Sequence, residues 1–340
     1  MNNETIENAG MSPYEDAANY PCGSARSAAD AEVFVVKPAI EWTEEAAKRP
    51  NPRSLWHNLW FEDEVCCLFA DTNLGKSILA VQIAEEIART DKVLYFDFEL
   101  TDKQFQRRYS NEETGRLYPF SRNFLRVELN TANNLAENIE AVIDQIEIVA
   151  KNHGVKNLII DNISWLTSKS ESGDTAGQLM SRLVQMKKRG GYSILVLAHT
   201  PKRNTNTPLT QNSLAGSKKI ANFMDSIFAL GMSKKNLPSS RYIKQIKVRS
   251  CEMSYGEDNV IELGIVKEDD FLHMNITGYG TEEDNLDRPD PAAIHRSEAD
   301  QEIARRLREG ETYRSIQHDM GVSPKTIQRV KRTLPDNTPE

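Results

Sequence analysis

VCCLFADTNLGKSILAVQIAEEIA, residues 65–88, decides the fold. It opens with VCCLFA (65–70), a short unbroken apolar run of the kind a strand shows when both its faces are covered. ADTNLGKS (70–77) follows, and then a helical stretch, Lys76–Thr90, with Ile78, Leu79, Ile83 and Ile87 predicted to face a sheet. Strand, turn and helix in that order are the context that the phosphate-loop pattern G-x-x-x-x-G-K-[S/T] requires. Backbone N–H groups at such a turn and helix start bind phosphate oxygens. The expected ATP contacts are Ala70, Asp71, Thr72, Asn73, Leu74, Gly75, Lys76, Ser77 and Ile78. Gly75 allows close backbone approach, Lys76 reaches the β- and γ-phosphates, and the Ser77 hydroxyl is a ligand for Mg²⁺. Ala70 stands where the pattern has its first glycine, which the backbone tolerates if that residue keeps φ negative. The plainer alternative is a chance match in an ordinary strand–helix turn.

Outward from this stretch, strand-like and helix-like segments alternate. VLYFDF (93–98), LIIDNI (158–163) and ILVLAH (194–199) read as buried strands, and Thr101–Ser110 and Asn133–Lys151 as helices. Alternation of this kind predicts an α/β fold with a mainly parallel sheet flanked by helices on both faces. After Ser226–Gly231, three closely spaced strands, Tyr242–Val248, Val260–Val266 and Phe271–Asn275, read as antiparallel additions at the sheet edge. Val36–Trp60, with Pro38, Trp42, Pro50, Pro52, Trp56 and Trp60, reads as an ordered lead-in packed on the core. The expected organisation is a tail over 1–35, an ATPase domain over 36–280, an acidic linker over 281–300 and a small all-α unit over 301–335.

An ATPase also needs a metal-directed carboxylate and a group that orients the attacking water. Asp161, near the end of a buried strand, is the candidate metal ligand beside Ser77, because ligands sit at the carboxyl ends of parallel strands. Asn162 follows it, so the water-orienting acid is not the next residue. Glu99, at the end of YFDFEL, is the favoured base. Asp97 is the alternative, with a supporting or Mg²⁺-contacting role, and a site using neither is a third possibility.

Composition narrows the class. The chain has 340 residues, 39% of them hydrophobic and 27% charged, enough for one sizeable α/β domain and a small module. A net charge of −8 argues against a surface that coats nucleic acid throughout, and leaves room for a local basic patch. No apolar run approaches membrane-spanning length, so no membrane association is expected. The polar, acidic N-terminus has neither part of a secretory signal, which points to the cytoplasm. The four cysteines, Cys22, Cys66, Cys67 and Cys251, have no metal-binding spacing.

Taken in order, ADTNLGKS, YFDFEL, LIIDNISWL and VLAHTPK resemble the RecA-like ATPases of the AAA_25 type, relatives of the hexameric plasmid-replication helicases and of replicative-helicase cores. The resemblance covers roughly residues 50–275. It implies a catalytic glutamate on the strand after the phosphate loop, which fits Glu99, and a polar sensor at the end of a later core strand, which fits His199. It also implies basic fingers that reach the nucleotide of a neighbouring subunit, carried over here to Lys247 and Arg249 in RYIKQIKVRS (241–250), and hence a homo-oligomeric ring or filament. The basic segment 201–219 reads as a mobile loop, and the resemblance turns such loops toward a central channel. Lys202, Arg203, Lys218 and Lys219 are its candidate nucleic-acid contacts, with a merely solvated loop as the alternative.

Residues 301–333 have the spacing of three short helices. Gly310 ends the first and Thr312 caps the second. A turn at Met320–Gly321–Val322 follows, and Ser323 and Pro324 start the third. The pattern resembles the helix-turn-helix of transposases, resolvases and sigma factors. Lys325, Thr326, Gln328, Arg329 and Arg332 are the expected DNA contacts, on phosphates and base edges. A three-helix protein-docking unit is the alternative. The combined expectation is an ATP-hydrolysing, Mg²⁺-dependent oligomeric motor acting on single-stranded or duplex DNA. The runner-up is an ATP-switched DNA-binding regulator that does not translocate, and a third reading is an ATPase that remodels protein partners.

Overall fold

A computed structural model describes residues 34–130, 132, 139–163, 165, 175–200, 206–214, 217–235, 239–287 and 291–331. The chain divides after Asn51 into two units. In the first, helix α1 (Ala39–Ala47) buries none of its residues, and Lys37 Nζ lies 5.1 Å over the exposed Trp42 ring. In the second unit the later part of the expected lead-in is packed on the core. There Trp56 and Trp60 of a small hairpin, β1 (Ser54–Trp56) and β2 (Trp60–Phe61), are buried in the core.

The second unit is built on a nine-stranded sheet. Its parallel part runs β5 (Phe124–Glu128), β4 (Val93–Asp97), β6 (Asn157–Asp161), β7 (Ser193–His199), β3 (Val65–Ala70) and β8 (Ser226–Met232). Antiparallel strands β9 (Ser240–Lys247), β10 (Val260–Glu268) and β11 (Phe271–Gly280) extend the β8 side. The mainly parallel α/β architecture expected from the sequence is the observed one.

Strand periodicity explains why. In β3, Val65, Cys67 and Phe69 enter one core, and Cys66, Leu68 and Ala70 enter the other. The first core is closed by α4 (Ile139–His153), through Val142, Ile143 and Ile146, and by α5 (Thr175–Gly190), through Leu179, Met180, Leu183 and Met186. The second is closed by α2 (Lys76–Ala88), whose Leu79, Ala80, Ile83, Ala84 and Ile87 pack flat on the strands, and by α3 (Asp102–Arg108), through Phe105. A central strand covered on both faces carries no polar residue in its middle, so polar groups collect at its ends.

Two expectations are corrected. The segment 281–300 is not a linker over most of its length. Thr281 caps a short helix, α7 (Glu282–Asn285), that packs on β9, and α8 (Pro291–Arg308) begins inside the acidic stretch. Glu282 is buried. It pairs with Lys244 Nζ at 2.5 Å and accepts from Leu209 N–H at 2.6 Å and Tyr242 Oη at 3.1 Å. The segment 201–219 is likewise anchored within its length, because Leu209 and Leu214 are buried and Ser217 opens α6 (Ser217–Phe223). Apolar anchors inside a polar composition hold what reads as a loop. Lys202 and Arg203 lie outside the described residues, as do the side chains of Lys218 and Lys219 and the tail through residue 33.

At the C-terminus, α8, α9 (Tyr313–Met320) and α10 (Pro324–Lys331) close on Ile303, Ile316, Ile327 and Val330. Thr312 accepts from Ser315 N–H, Gly321 ends α9 with φ 63°, and Ser323 Oγ accepts from Thr326 N–H, as the sequence predicts.

The Glu282 cluster yields a stability prediction. Glu282→Ala leaves Lys244 buried without its partner and two donors unmet, and should cost about 3–5 kcal/mol. Urea unfolding of the full chain measures it. A loss under 1 kcal/mol would mean that 281–287 is a linker after all.

Candidate active site

The parallel strands deliver their last residues to one edge in register. Ala70 lies opposite His199, and Asp97 opposite Asp161. Ala70 is still the final residue of β3, buried and strand-paired, so its methyl group meets no backbone requirement for glycine. The turn uses positive φ at Asn73 (65°) and Gly75 (98°) instead. At Gly75 the backbone conformation calls for glycine, whereas a Cβ there would meet only the flexible end of Met274 of β11, at 2.7 Å. Gly75 caps α2 without a side-chain bond, which leaves the first helical amides to bind an anion. Arg241 Nε of β9 holds the loop crest by donating to Leu74 O at 3.0 Å. Thr200 ties the loop to β7, donating from its hydroxyl to Asp71 and from N–H to Ala70 O at 3.2 Å.

Lys76 is only 6% exposed. Its Nζ donates to Ala70 O at 3.0 Å and lies 3.1 Å from His199 Nδ1. Burial pulls its pKa down, while Asp161, Glu99 and Asp71 oppose that. Because Lys76 only donates, His199 Nδ1 is the acceptor, and the ring proton is assigned to Nε2. Nε2 faces Glu99 Oε1 at 3.4 Å. Asn162 Nδ2 donates to the same Oε1 and lies 3.1 Å from His199 Nε2. Two donors thus converge on one carboxylate oxygen. The His199 hydrogen bond holds Glu99 below the usual carboxylate range, burial opposes it, and Lys76 and Asn162 add to the lowering.

The two acids weighed in the sequence part company. The Asp97 side chain is fully buried and committed to structure. Its Oδ2 accepts from Arg126 Nε at 3.0 Å and Nη2 at 2.9 Å, and its Oδ1 accepts from Glu99 N–H at 3.1 Å and Leu100 N–H at 2.9 Å. Asp97 therefore builds the turn that presents Glu99, and the reading of Asp97 as base or metal ligand gives way to support.

Asp161 sits beneath the loop. Its carboxyl accepts from Tyr95 Oη at 2.6 Å and from the Ser77 hydroxyl. Burial pushes its pKa up to about 6, against those two hydrogen bonds. One carboxylate beside one hydroxyl, at the foot of a phosphate-sized turn, fits Mg²⁺, which keeps several waters and takes phosphate oxygens for the rest.

Other candidates lie elsewhere. Lys247 and Arg249 are not brought to this chain's own loop. Lys247 Nζ donates to Ala221 O at 2.9 Å and Met224 O at 2.7 Å, and Arg249 pairs with Asp225 at 3.1 Å. Asp225 also accepts from Val65 N–H, at the start of β3 and so at the opposite edge of the sheet. On α10, Lys325 and Gln328 are exposed, Thr326 Oγ1 contacts Ser323 Oγ, and Arg329 chelates Asp300 at 2.7 and 2.8 Å. Arg332 lies outside the described residues. Sequence reasoning assigned no role to Asn162, Tyr95, Arg126 or Arg241, all of which act through partners distant in the chain.

The raised Asp161 predicts a trade between stability and function. Its penalty is absent below the unfolded aspartate pKa of 3.8, grows up to about 6, and is complete above that. Asp161→Asn should therefore stabilise the protein on the order of 2 kcal/mol at neutral pH, with the gain fading as the pH falls from about 6 and gone below about 4. Thermal melting from pH 3.5 to 8 measures this. A variant less stable than wild type at pH 7.5 would contradict the buried-charge account.

Comparison with known proteins is consistent with this geometry. None of the curated proteins matches the sequence. One matching solved structure is a KaiC-like protein from the hyperthermophilic archaeon Pyrococcus horikoshii OT3, 16% identical, with 64% of this chain and 91% of that chain covered and a TM-score of 0.46. A family model described as an AAA domain matches residues 31–205, just over half of the 340. The chain therefore belongs to the AAA_25 family and has the fold of a RecA-like P-loop ATPase.

Proposed function

We propose that the chain hydrolyses ATP and works as a DNA-acting, helicase-like motor in an oligomer. The observation that carries the hydrolytic part is the side-chain chain Lys76–His199–Glu99, which joins the phosphate-binding lysine to the candidate base in one set of contacts. The amides of the loop and Lys76 bind the β- and γ-phosphates. Glu99 orients the attacking water and takes its proton. Ser77 and Asp161 would hold Mg²⁺, which supplies charge neutralisation at the phosphates. His199 touches both Lys76 and Glu99, so a change at the phosphates reaches the base through a single ring.

The DNA-facing part rests on other residues. Lys325, Gln328 and Lys331 are exposed on α10, the third helix of a small unit with its own core, and that arrangement suits phosphate and base-edge contacts. Arg329 would have to release Asp300 to join them. Arg249, exposed on the edge remote from its own loop, is the better placed of the two finger candidates to reach a neighbouring subunit's nucleotide. Assembly would follow from such a finger, because the site would then need two copies. The three-helix unit also favours a second reading, a nucleotide-switched DNA-binding regulator that uses the same ATP site and does not translocate.

Hydrolysis by wild type and Lys76→Ala, each alone, with single-stranded DNA and with duplex, tests these readings. Wild type should turn over ATP faster with single-stranded DNA, and Lys76→Ala should lose at least about 100-fold. Slow turnover indifferent to DNA, together with site-specific duplex binding, would favour the regulator. A folded wild type with no turnover under any condition would refute the hydrolytic reading.

A further inference from the structure

Asn162 stands beside Asp161, Glu99 and His199. It is 2% exposed and follows Asp161 directly. Its side-chain amide cannot turn freely, because Oδ1 accepts from Trp165 N–H at 3.1 Å, and that bond aims Nδ2 at Glu99. The main chain adds a second tie, Phe98 N–H to Asp161 O at 2.8 Å, which fixes the end of β4 against the end of β6 just before Glu99. On the far side, Nδ2 lies beside His199 Nε2. Both donors fall on Oε1 of Glu99. Oε2 has no hydrogen-bond partner among the described residues, and the side chain is 40% exposed. A carboxylate anchored by one oxygen presents the other along a fixed line.

We propose that Asn162 is a positioning residue for hydrolysis: its locked amide holds Oε1 of Glu99 so that Oε2 is presented to the attacking water. The inference rests on the hydrolytic reading above. It assigns Asn162 no contact with nucleotide or metal. The donor matters because a free glutamate side chain samples several rotamers, and a misplaced base costs rate even where substrate binds normally.

The test uses the full-length protein and five forms: wild type, Asn162→Ala, Asn162→Asp, Glu99→Gln and the double variant Asn162→Ala/Glu99→Gln. Steady-state kcat and KM for ATP are measured with the affinity for a fluorescent ATP analogue. Asn162→Ala should lower kcat by about 10-fold or more while KM and affinity change by less than about 3-fold. Asn162→Asp keeps the shape and the bond from Trp165 N–H, yet replaces the donor with a like charge, so its kcat should fall at least as far. It also serves where the alanine variant folds poorly. In the Glu99→Gln background, Asn162→Ala should cost nothing further, because a positioning residue has no effect once its target is gone. Wild-type kcat in both Asn162 variants, a loss of affinity that accounts for the loss of kcat, or losses that multiply in the double variant would overturn the proposal. Full activity in Glu99→Gln would remove the hydrolytic reading itself, and the proposal with it.

Discussion

A strand covered on both faces has to keep its polar groups at its ends, and the site grows out of that constraint. Strands β3, β4, β6 and β7 are buried along nearly their whole length, and alternate residues feed the two cores. At their carboxyl ends three of them carry a polar or charged residue: Asp97, Asp161 and His199. Parallel pairing then brings those last residues to one edge, beside the turn that follows β3. The ATP-site chemistry is thus collected by strand direction and register, before any side chain chooses a partner.

Holding these groups together creates opposed electrostatic demands. Lys76 is buried and its pKa is lowered, Asp161 is buried and its pKa is raised, and Glu99 is half-exposed and lowered by donors. The first two would be more comfortable in water, and they stay because α2 and the central strands pack tightly around them. The opposite edge of the sheet is arranged differently. There Asp225 accepts from Lys187, Arg249 and the Val65 amide together, and cations and acid meet in a structural hub.

Much of this was legible in the sequence, and what was not has physical reasons. The apolar runs at 65–70, 93–98, 158–163 and 194–199 exceed anything a half-buried strand shows, so the parallel sheet was readable. Edge strand β5 was missed because Phe124–Glu128 is only half-buried and lacks a run of that kind. Helix α5 was missed although Leu179, Leu183 and Met186 carry its spacing, because its composition is polar. The acidic stretch 281–300 has the composition of a linker, and only Glu282's distant partners Lys244 and Tyr242 show otherwise. In the site, Lys76, Ser77, Asp161 and Glu99 follow from local pattern. Asn162 and Tyr95 do not, because their partners are 63 and 66 residues away and nothing nearby in the chain announces the pairing.

The most direct measurement of the central claim is a crystal structure of the full chain with Mg²⁺ and a non-hydrolysable ATP analogue. The account predicts the triphosphate on the 70–77 turn, with Lys76 Nζ moved from the Ala70 carbonyl to phosphate oxygens. It also predicts Ser77 and Asp161 beside the metal, and Glu99 with its free oxygen toward the γ-phosphate. A triphosphate bound elsewhere, or on the turn with Asp161 away from the metal and Glu99 facing solvent, would contradict it.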